Sequence, residues 1–425
     1  MGEGAGGEGP RAPRSKRRSL TNVGGAVETA GDADDAKLLA HALDVVSAKD
    51  EDDKDDSPAR AHVHGFHTYP ARMHPDTASR LATAFVAKGE TVLDPFCGSG
   101  TVLIEAMIAG RRAIGTDLSP LAVLLARSKT RPRTPRQLEA LVEYARTCAA
   151  HADERRKAKA GASQRFPPQD TVLFEPHVLL ELDSLRLAIA KVGDSPIRDD
   201  LWLVLSALLV KLSKKRGDTS LAIDTRRTAA GYTAKLFVKK TEELARRLAE
   251  FTALLAKPIP SPAHIAVDDA TKLRALDAKT RVDAIITSPP YAATYDYVAH
   301  HALRMRWLGL DVDALDAGEI GARRKYRGLH ADDARDTWSR ELSRFFDAAH
   351  RVLQPGAPLV LIMADSAVGS TALRADEIVA DLARDHGFIP AARASQPRPH
   401  FHLPTQGAFE EKPRAEHALL LRSAG

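Results

Sequence analysis

Two short apolar runs each end on an aspartate and lead straight into a helix-patterned stretch, and this constrains the fold more than any other feature of the chain. Thr91-Val92-Leu93-Asp94 reads as a buried strand that enters a glycine-containing turn and then the apolar helical stretch Val102–Ala109. Arg112-Ala113-Ile114-Gly115-Thr116-Asp117 reads as a second strand, followed by a second helix over Pro120–Ser128. Strand and helix in alternation call for crossover connections, and hence a parallel sheet with helices on its faces. The alternation resumes at His264–Asp268 and continues through Val282–Ile286 and Pro358–Met363, while His417–Leu421 reads as an edge or inserted strand. The intervening residues are helical in pattern over Arg136–Lys157, Val178–Lys191, Asp200–Lys214 and Thr233–Ala256.

At 425 residues the chain exceeds one ordinary domain. Residues 1–60 read as a disordered tail: Gly-rich at first, then basic from Arg11 to Arg18, then acidic from Asp50 to Asp56, with too little apolar mass to fold alone. The remainder divides into 61–130, the first part of an α/β domain; 131–262, a helical insert and candidate target-recognition region; and 263–425, the second part of that domain. No apolar run approaches the ~20 residues that cross a bilayer, so no membrane association is expected, and two cysteines without a Cys-x-x-Cys spacing fit a reducing cytoplasm. A formal net charge of +5 is compatible with a polyanionic partner.

The turn after the first strand, Asp94-Pro95-Phe96-Cys97-Gly98-Ser99-Gly100-Thr101, stands where a nucleotide-like ligand binds a parallel sheet. Gly98 and Gly100 allow a sharp turn and a close ligand approach. Asp117, with Leu118 beside it, ends the next strand 23 residues after Asp94, and a carboxylate there can accept both ribose hydroxyl hydrogens. Dinucleotide binding fits poorly, because Gly100 is followed by Thr101-Val102-Leu103 without a third glycine and the Asp94 carboxylate would repel a pyrophosphate. The same charge attracts the cationic ammonium of S-adenosylmethionine. A P-loop is excluded, since no Gly-Lys-Ser/Thr follows.

The fourth strand runs directly into Thr287-Ser288-Pro289-Pro290-Tyr291. The prolines stiffen the backbone and fix the direction of the Pro289 carbonyl. That carbonyl and the Ser288 hydroxyl can together accept both hydrogens of a base amino group, and Tyr291 can stack on an extruded base. A C5-directed mechanism would need a cysteine nucleophile in this loop, and there is none.

The eight-residue turn and the Ser-Pro-Pro-Tyr string together resemble the motifs of the amino-directed (N4-cytosine/N6-adenine) DNA methyltransferases, over about residues 62–130 and 264–421. The resemblance implies a class I S-adenosylmethionine-dependent methyltransferase fold, with a Rossmann-like, mostly parallel seven-stranded sheet. It assigns Ser288, Pro289, Pro290 and Tyr291 to catalysis. It assigns Asp94, Pro95, Phe96, Gly98, Gly100, Thr101, Asp117, Leu118, Asp269 and Tyr69 to the cofactor: Asp269 as the acid before a small residue that receives the adenine amino group, and Tyr69 within the His67–Pro75 segment that covers the methionine end. The Ser form of the motif leans toward N4 of cytosine. N6 of adenine, an RNA base in tRNA or rRNA, and an inactive methyltransferase-like nucleic-acid-binding subunit remain open. DNA is the expected partner, with a cognate restriction nuclease as a further one.

Tyr295, Tyr297 and Arg304 are candidates for a base pocket and equally plausible as core residues. The histidines His62, His64, His67 and His74 lack an acidic or cysteine partner at ligand spacing, so no metal is expected. Candidate phosphate contacts are Lys211, Lys214, Lys215, Arg216, Arg226, Arg227, Lys239, Lys240, Arg246 and Arg247 in the insert, and Arg323-Arg324-Lys325-Tyr326-Arg327 after the catalytic loop.

Overall fold

A computed structural model describes residues 25–45, 57–217, 223–224, 227–277, 279–400 and 402–424. The chain begins with β1 (Glu28–Gly31), α1 (Ala33–Leu43) and α2 (Pro75–Phe85). The cofactor half follows as β2 (Thr91–Asp94), α3 (Thr101–Ile108), β3 (Arg112–Asp117) and α4 (Pro120–Lys129). The insert is α5 (Pro135–Lys157), α6 (Pro168–Leu173), α7 (Pro176–Ala190), α8 (Pro196–Leu212) and α9 (Tyr232–Leu254). Next come β4 (His264–Val267), β5 (Ala284–Thr287), α10 (Tyr297–Leu308), α11 (Asp313–Gly318) and α12 (Ala331–Val352). The chain closes with β6 (Pro358–Ala364), a small ribbon of β7 (Ser366–Val368) and β8 (Thr371–Leu373), α13 (Ala375–Asp385), β9 (Phe388–Pro397) and β10 (Ala415–Ser423).

The main sheet has eight strands in the order β1-β9-β10-β6-β5-β2-β3-β4. β4, β3, β2, β5 and β6 pair in parallel. β10 is inserted antiparallel between β6 and β9, so the apolar run at 417–421 is an interior strand. Setting β1 aside, this is the class I methyltransferase order with its reversed last strand. The chain winds outward from β2 through β3 to β4, then returns to the other side of β2 with β5. The crevice at the carboxyl ends of β2 and β5 is therefore the topological switch point, the place where such sheets bind ligands.

Alternate residues of the central strands enter opposite cores, which explains their continuous apolar runs. Val92, Ile286, Val360 and Ile362 join the core under α2, α3, α4, α10 and the insert. Leu93, Ile285, Leu359, Leu361 and Met363 join the core under α12 and α13. Gly115 in β3 has no room for a side chain: a Cβ there would lie 2.4 Å from Leu103 Cδ1 and 3.2 Å from Cys97 Cβ.

Two expectations need correction. The tail expected over residues 1–60 contains ordered structure. β1 pairs antiparallel with β9 and makes an eighth strand. α1 is capped by Asp32, whose side chain accepts from the Asp34 and Asp35 amides, and it buries Ala36, Leu39, Ala42 and Leu43. Those few apolar residues suffice because the folded sheet supplies the other half of the core. The basic stretch Arg11–Arg18, the acidic run Asp50–Asp56 and Arg226 lie outside the described residues. The second is the seven-stranded sheet, which has eight strands, among them the unforeseen β9. Its two prolines and small side chains hide it from a pattern search, and it is held by pairing on both sides.

The insert shares the core of the sheet, with α8 against α4 and α10. A buried ion pair locks the junction: Arg133 Nη2 donates to Asp200 Oδ2 at 2.6 Å, Ser128 Oγ donates to Asp200 Oδ1, and both partners of the pair are nearly inaccessible, at 6% and 0% exposure. Arg133→Ala leaves the Asp200 carboxylate buried without its cation, which is expected to cost about 3–5 kcal/mol. Urea unfolding followed by fluorescence should show that loss within one cooperative transition of insert and sheet together.

Candidate active site

A cleft opens at the switch point. Its floor is the turn after β2, where Asp94, Pro95, Phe96, Gly98 and Thr101 line it; Asp117 and Leu118 after β3 and Asp269 after β4 form one side. Ser288 and Pro290, after β5, close the other end. Tyr69 covers the cleft from the segment before α2.

Asp94 is 3% exposed. Its Oδ1 accepts from Thr287 Oγ1 at 2.6 Å and from the Phe96 amide at 3.2 Å. Burial pushes its pKa up to about 7, against the opposing effect of those hydrogen bonds. Asp117 accepts the Gly98 amide on Oδ2 at 2.9 Å and the Ser119 amide on Oδ1 at 2.8 Å, and burial raises it to about 6. A carboxylate has about four acceptor positions, so two backbone amides leave Asp117 capacity for hydroxyl groups. Of the paired acids after β4, Asp268 takes the Asp269 and Ala275 amides at 2.8 and 2.7 Å and braces the loop. Asp269 lines the cleft instead, with Lys272 Nζ 2.7 Å from its Oδ2.

The two glycines differ in what they do. Gly98, at φ +50°, faces the cleft, and a Cβ there would press on the Tyr69 ring at 3.3 Å. Gly100, expected at the cofactor, does not line the cleft. It is the N-cap of α3 at φ +85°, and a Cβ on it would press on Ala126 of α4 at 3.2 Å, so it serves helix packing. The catalytic string also splits. Pro289 is buried and Tyr291 packs against the α12 core, its hydroxyl 3.4 Å from Ser288 Oγ; neither lines the cleft.

Tyr69 is held by its surroundings. It stacks on His301 with ring centroids 4.9 Å apart and on Tyr297 at 6.1 Å. Arg304, only 1% exposed, donates to Thr68 Oγ1 at 3.1 Å and to the Ser206 carbonyl of α8 at 3.3 Å; it braces this segment from behind and does not line the cleft. Tyr297 does line it, and Tyr295 lies beside Tyr297 with centroids 5.6 Å apart. The upstream histidines have internal roles: His64 Nε2 is 2.8 Å from Glu105 Oε1, His67 Nε2 is 2.9 Å from Ser206 Oγ, and His74 Nδ1 caps α2 by accepting the Asp76 amide. Spacing along the chain did not show Glu105 as a neighbour, although His62, His64 and Glu105 present their ligand atoms within 4.8 Å of one another. Burial, with Lys129 and Arg72 adding, holds the His64 pKa well below the usual histidine value.

The wall built by Leu315, Gly318, Glu319 and Ile320 was not foreseen, because α11 carries no motif. Its one signal is Gly318, where a Cβ would meet Leu118 at 2.7 Å. Glu319 accepts the Tyr297 amide at 2.7 Å and pairs with Arg324, tying this wall to the start of α10.

S-adenosylmethionine fits this lining. Ser99 Oγ is buried at the cleft without a partner, Asp94 and Asp117 are carboxylates suited to a cation and to hydroxyls, and apolar side chains flank them.

Residues 41–128 match the family model described as DNA methylase, of the N6/N4 type. The chain is 32% identical over 106 residues to type II methyltransferase M.MvaI of Kocuria varians, covering 23% of each chain. It is 23% identical over 273 residues to type II methyltransferase M.BsoBI of Geobacillus stearothermophilus, covering 59% of this chain and 53% of that one. A tRNA (guanine(10)-N2)-dimethyltransferase of Methanothermobacter thermautotrophicus is 43% identical over 61 residues, 14% of this chain and 18% of its own. The chain thus spans about half or less of the curated relatives it matches. Among the described residues no helix is long and apolar enough to cross a membrane. The matched segment, which carries β2, β3 and the turn between them, is similar to the amino-directed DNA methyltransferases, and S-adenosylmethionine is the methyl donor this likeness supports.

Proposed function

We propose that the protein methylates an exocyclic amino group of a DNA base, N4 of cytosine before N6 of adenine. The observation that carries this reading is that Ser288 and Pro290 line the same cleft as Asp94, Gly98 and Asp117. An amine acceptor and a donor site at one sheet edge are what direct transfer to an amine requires. S-adenosylmethionine, when bound, supplies an electrophilic methyl group on a sulfonium.

The chain's own groups do the rest. Ser288 Oγ and the Pro289 carbonyl accept the two N–H groups of the base amine, turning its lone pair away from the ring and toward the cleft. As the nitrogen forms the new C–N bond, the methyl–sulfur bond would break to leave a neutral thioether, and the nitrogen releases one of those protons to solvent water. Tyr291, whose hydroxyl lies beside Ser288 Oγ, keeps that acceptor oriented. Asp94 and Asp269 would anchor the two ends of the donor, beneath Tyr69. The Ser form of the motif supports cytosine. A second reading, an RNA amino group, draws on the similarity to the tRNA guanine-N2 enzyme over 61 residues. Restriction-associated DNA modification is supported by the type II relatives.

Transfer of labelled methyl to duplex DNA against tRNA and rRNA, with nucleoside mass spectrometry, tests the assignment; N4-methylcytosine in DNA is expected, and label in RNA alone overturns it. Ser288→Ala and Tyr291→Ala should each lower turnover about 10²-fold with donor affinity unchanged; wild-type turnover in either would remove its assigned role. Donor binding should also depend on pH through Asp94. Below about pH 7 the carboxyl takes up a proton and its attraction for a cation is lost, so calorimetric affinity should fall from pH 8 to pH 6. For the ligand-free fold the sign is opposite. Because the folded pKa lies above the unfolded one, the folded state holds a proton the unfolded chain lacks between about pH 4 and 7, and this group's contribution to stability declines as pH rises through that window. Asp94→Asn should remove both dependences and abolish donor binding.

A further inference from the structure

A second groove lies beyond the catalytic loop. Ala293 and Thr294 form one wall, the turn around Arg323–Arg327 a second, and the loop from His400 to Arg414 a third. The first two walls are separated by 29 residues and the third lies 73 residues beyond the second, so no motif search joins them. Pro290 on the cofactor cleft and Ala293 on this groove are three residues apart, at most about 11 Å along an extended chain. The same short loop thus borders both.

The groove is cationic. Arg323, Arg327 and Arg414 line it together with His400 and His402. Its one lining carboxylate, Asp365, is already engaged by Arg374 at 2.8 Å, by the Ala375 and Ala415 amides at 3.0 and 3.1 Å, and by His417 at 3.1 Å. The other cations of the basic run are committed elsewhere: Arg324 pairs with Asp296, Asp316 and Glu319, and Lys325 donates to the Glu319 carbonyl at 2.7 Å. Arg323 steadies the catalytic loop by donating to the Thr294 carbonyl at 2.6 Å, whereas Arg327 is exposed. Burial, with the nearby Arg414 and His402 adding to it, lowers the pKa of His400.

We propose that this groove holds a backbone phosphate of the nucleic-acid strand that carries the target base, with Arg327 as a direct contact. The inference rests on the amino-methylation reading, which puts the reacting base on the near side of the same loop. An extruded nucleotide stays bonded to its two phosphates, which must lie beside the catalytic loop, and the cations that can meet them there line this groove. Phosphate contacts of this kind fix register without reading sequence.

The test measures binding of the full chain to a 30-base-pair duplex and, in a separate arm, to tRNA, over a range of salt concentrations. Arg327→Ala should weaken binding several-fold at physiological salt and reduce the slope of log K against log salt by about 0.9. Arg327→Lys should restore most of the slope, and Arg327→Glu should weaken binding further. Donor affinity and thermal unfolding should match wild type in all three. A slope change in the DNA arm supports a DNA phosphate; a change confined to the tRNA arm supports the groove with RNA as its strand. An unchanged slope in both arms, while wild type still methylates a polynucleotide, overturns the groove and leaves the amino-methylation reading standing. Absence of methyl transfer to any polynucleotide overturns both.

Discussion

The hydrogen bond from Thr287 to Asp94 joins residues 193 positions apart, and the site is organised around it. Asp94 ends β2 and Thr287 ends β5, the two strands on either side of the point where the sheet changes winding direction. Two adjacent parallel strands point the same way and so deliver their following loops to one edge of the sheet. The loop after β2 provides the donor-side floor and the loop after β5 the acceptor. Because Thr287 precedes Ser288 directly, the hydrogen bond fixes the distance between the two loops. It also keeps a buried carboxylate in place that burial alone would tend to neutralise.

The insert contributes to this site from behind. α8 is buried against α4 and α10, and its Ser206 meets both His67 and Arg304. Arg304 in turn holds Thr68, next to Tyr69, which stacks on Tyr297 and His301. Three segments distant in sequence therefore set the position of one aromatic ring over the cleft. Several of the insert's candidate phosphate contacts are spent on the helices themselves. Arg247 bonds to the Arg60 and His62 carbonyls and Glu243, Lys240 pairs with Glu243 and lies over the Phe66 ring, and Arg246 pairs with Glu250. Sequence charge counts cations without showing which are already neutralised.

The same distinction governs the basic run after the catalytic loop. Arg324 and Lys325 bind the acidic wall of the donor cleft, and Tyr326 is buried on Glu341, so the run is in large part a structural clasp. Arg323 and Arg327, at its two ends, face the second groove. One five-residue string thus braces the donor side and charges the other side of the same loop.

The sequence by itself determined the central sheet and the chemistry of its edge. Continuous apolar runs ending in Asp94, Asp117 and Thr287 specify parallel strands buried on both faces, and short-range patterns of that kind survive in any window of the chain. The residues that turn at those strand ends were legible for the same reason. What only the tertiary structure decided were the contacts that depend on strands and loops meeting from far away: β1 and β9, stabilised by pairing more than by composition; Gly100 as a packing residue against Ala126; the α11 wall; the Glu105 partner of His64; and the Arg323–His400–Arg414 groove. Pairing energy, close approach and mutual neutralisation are properties of two segments at once, and neither segment carries them alone.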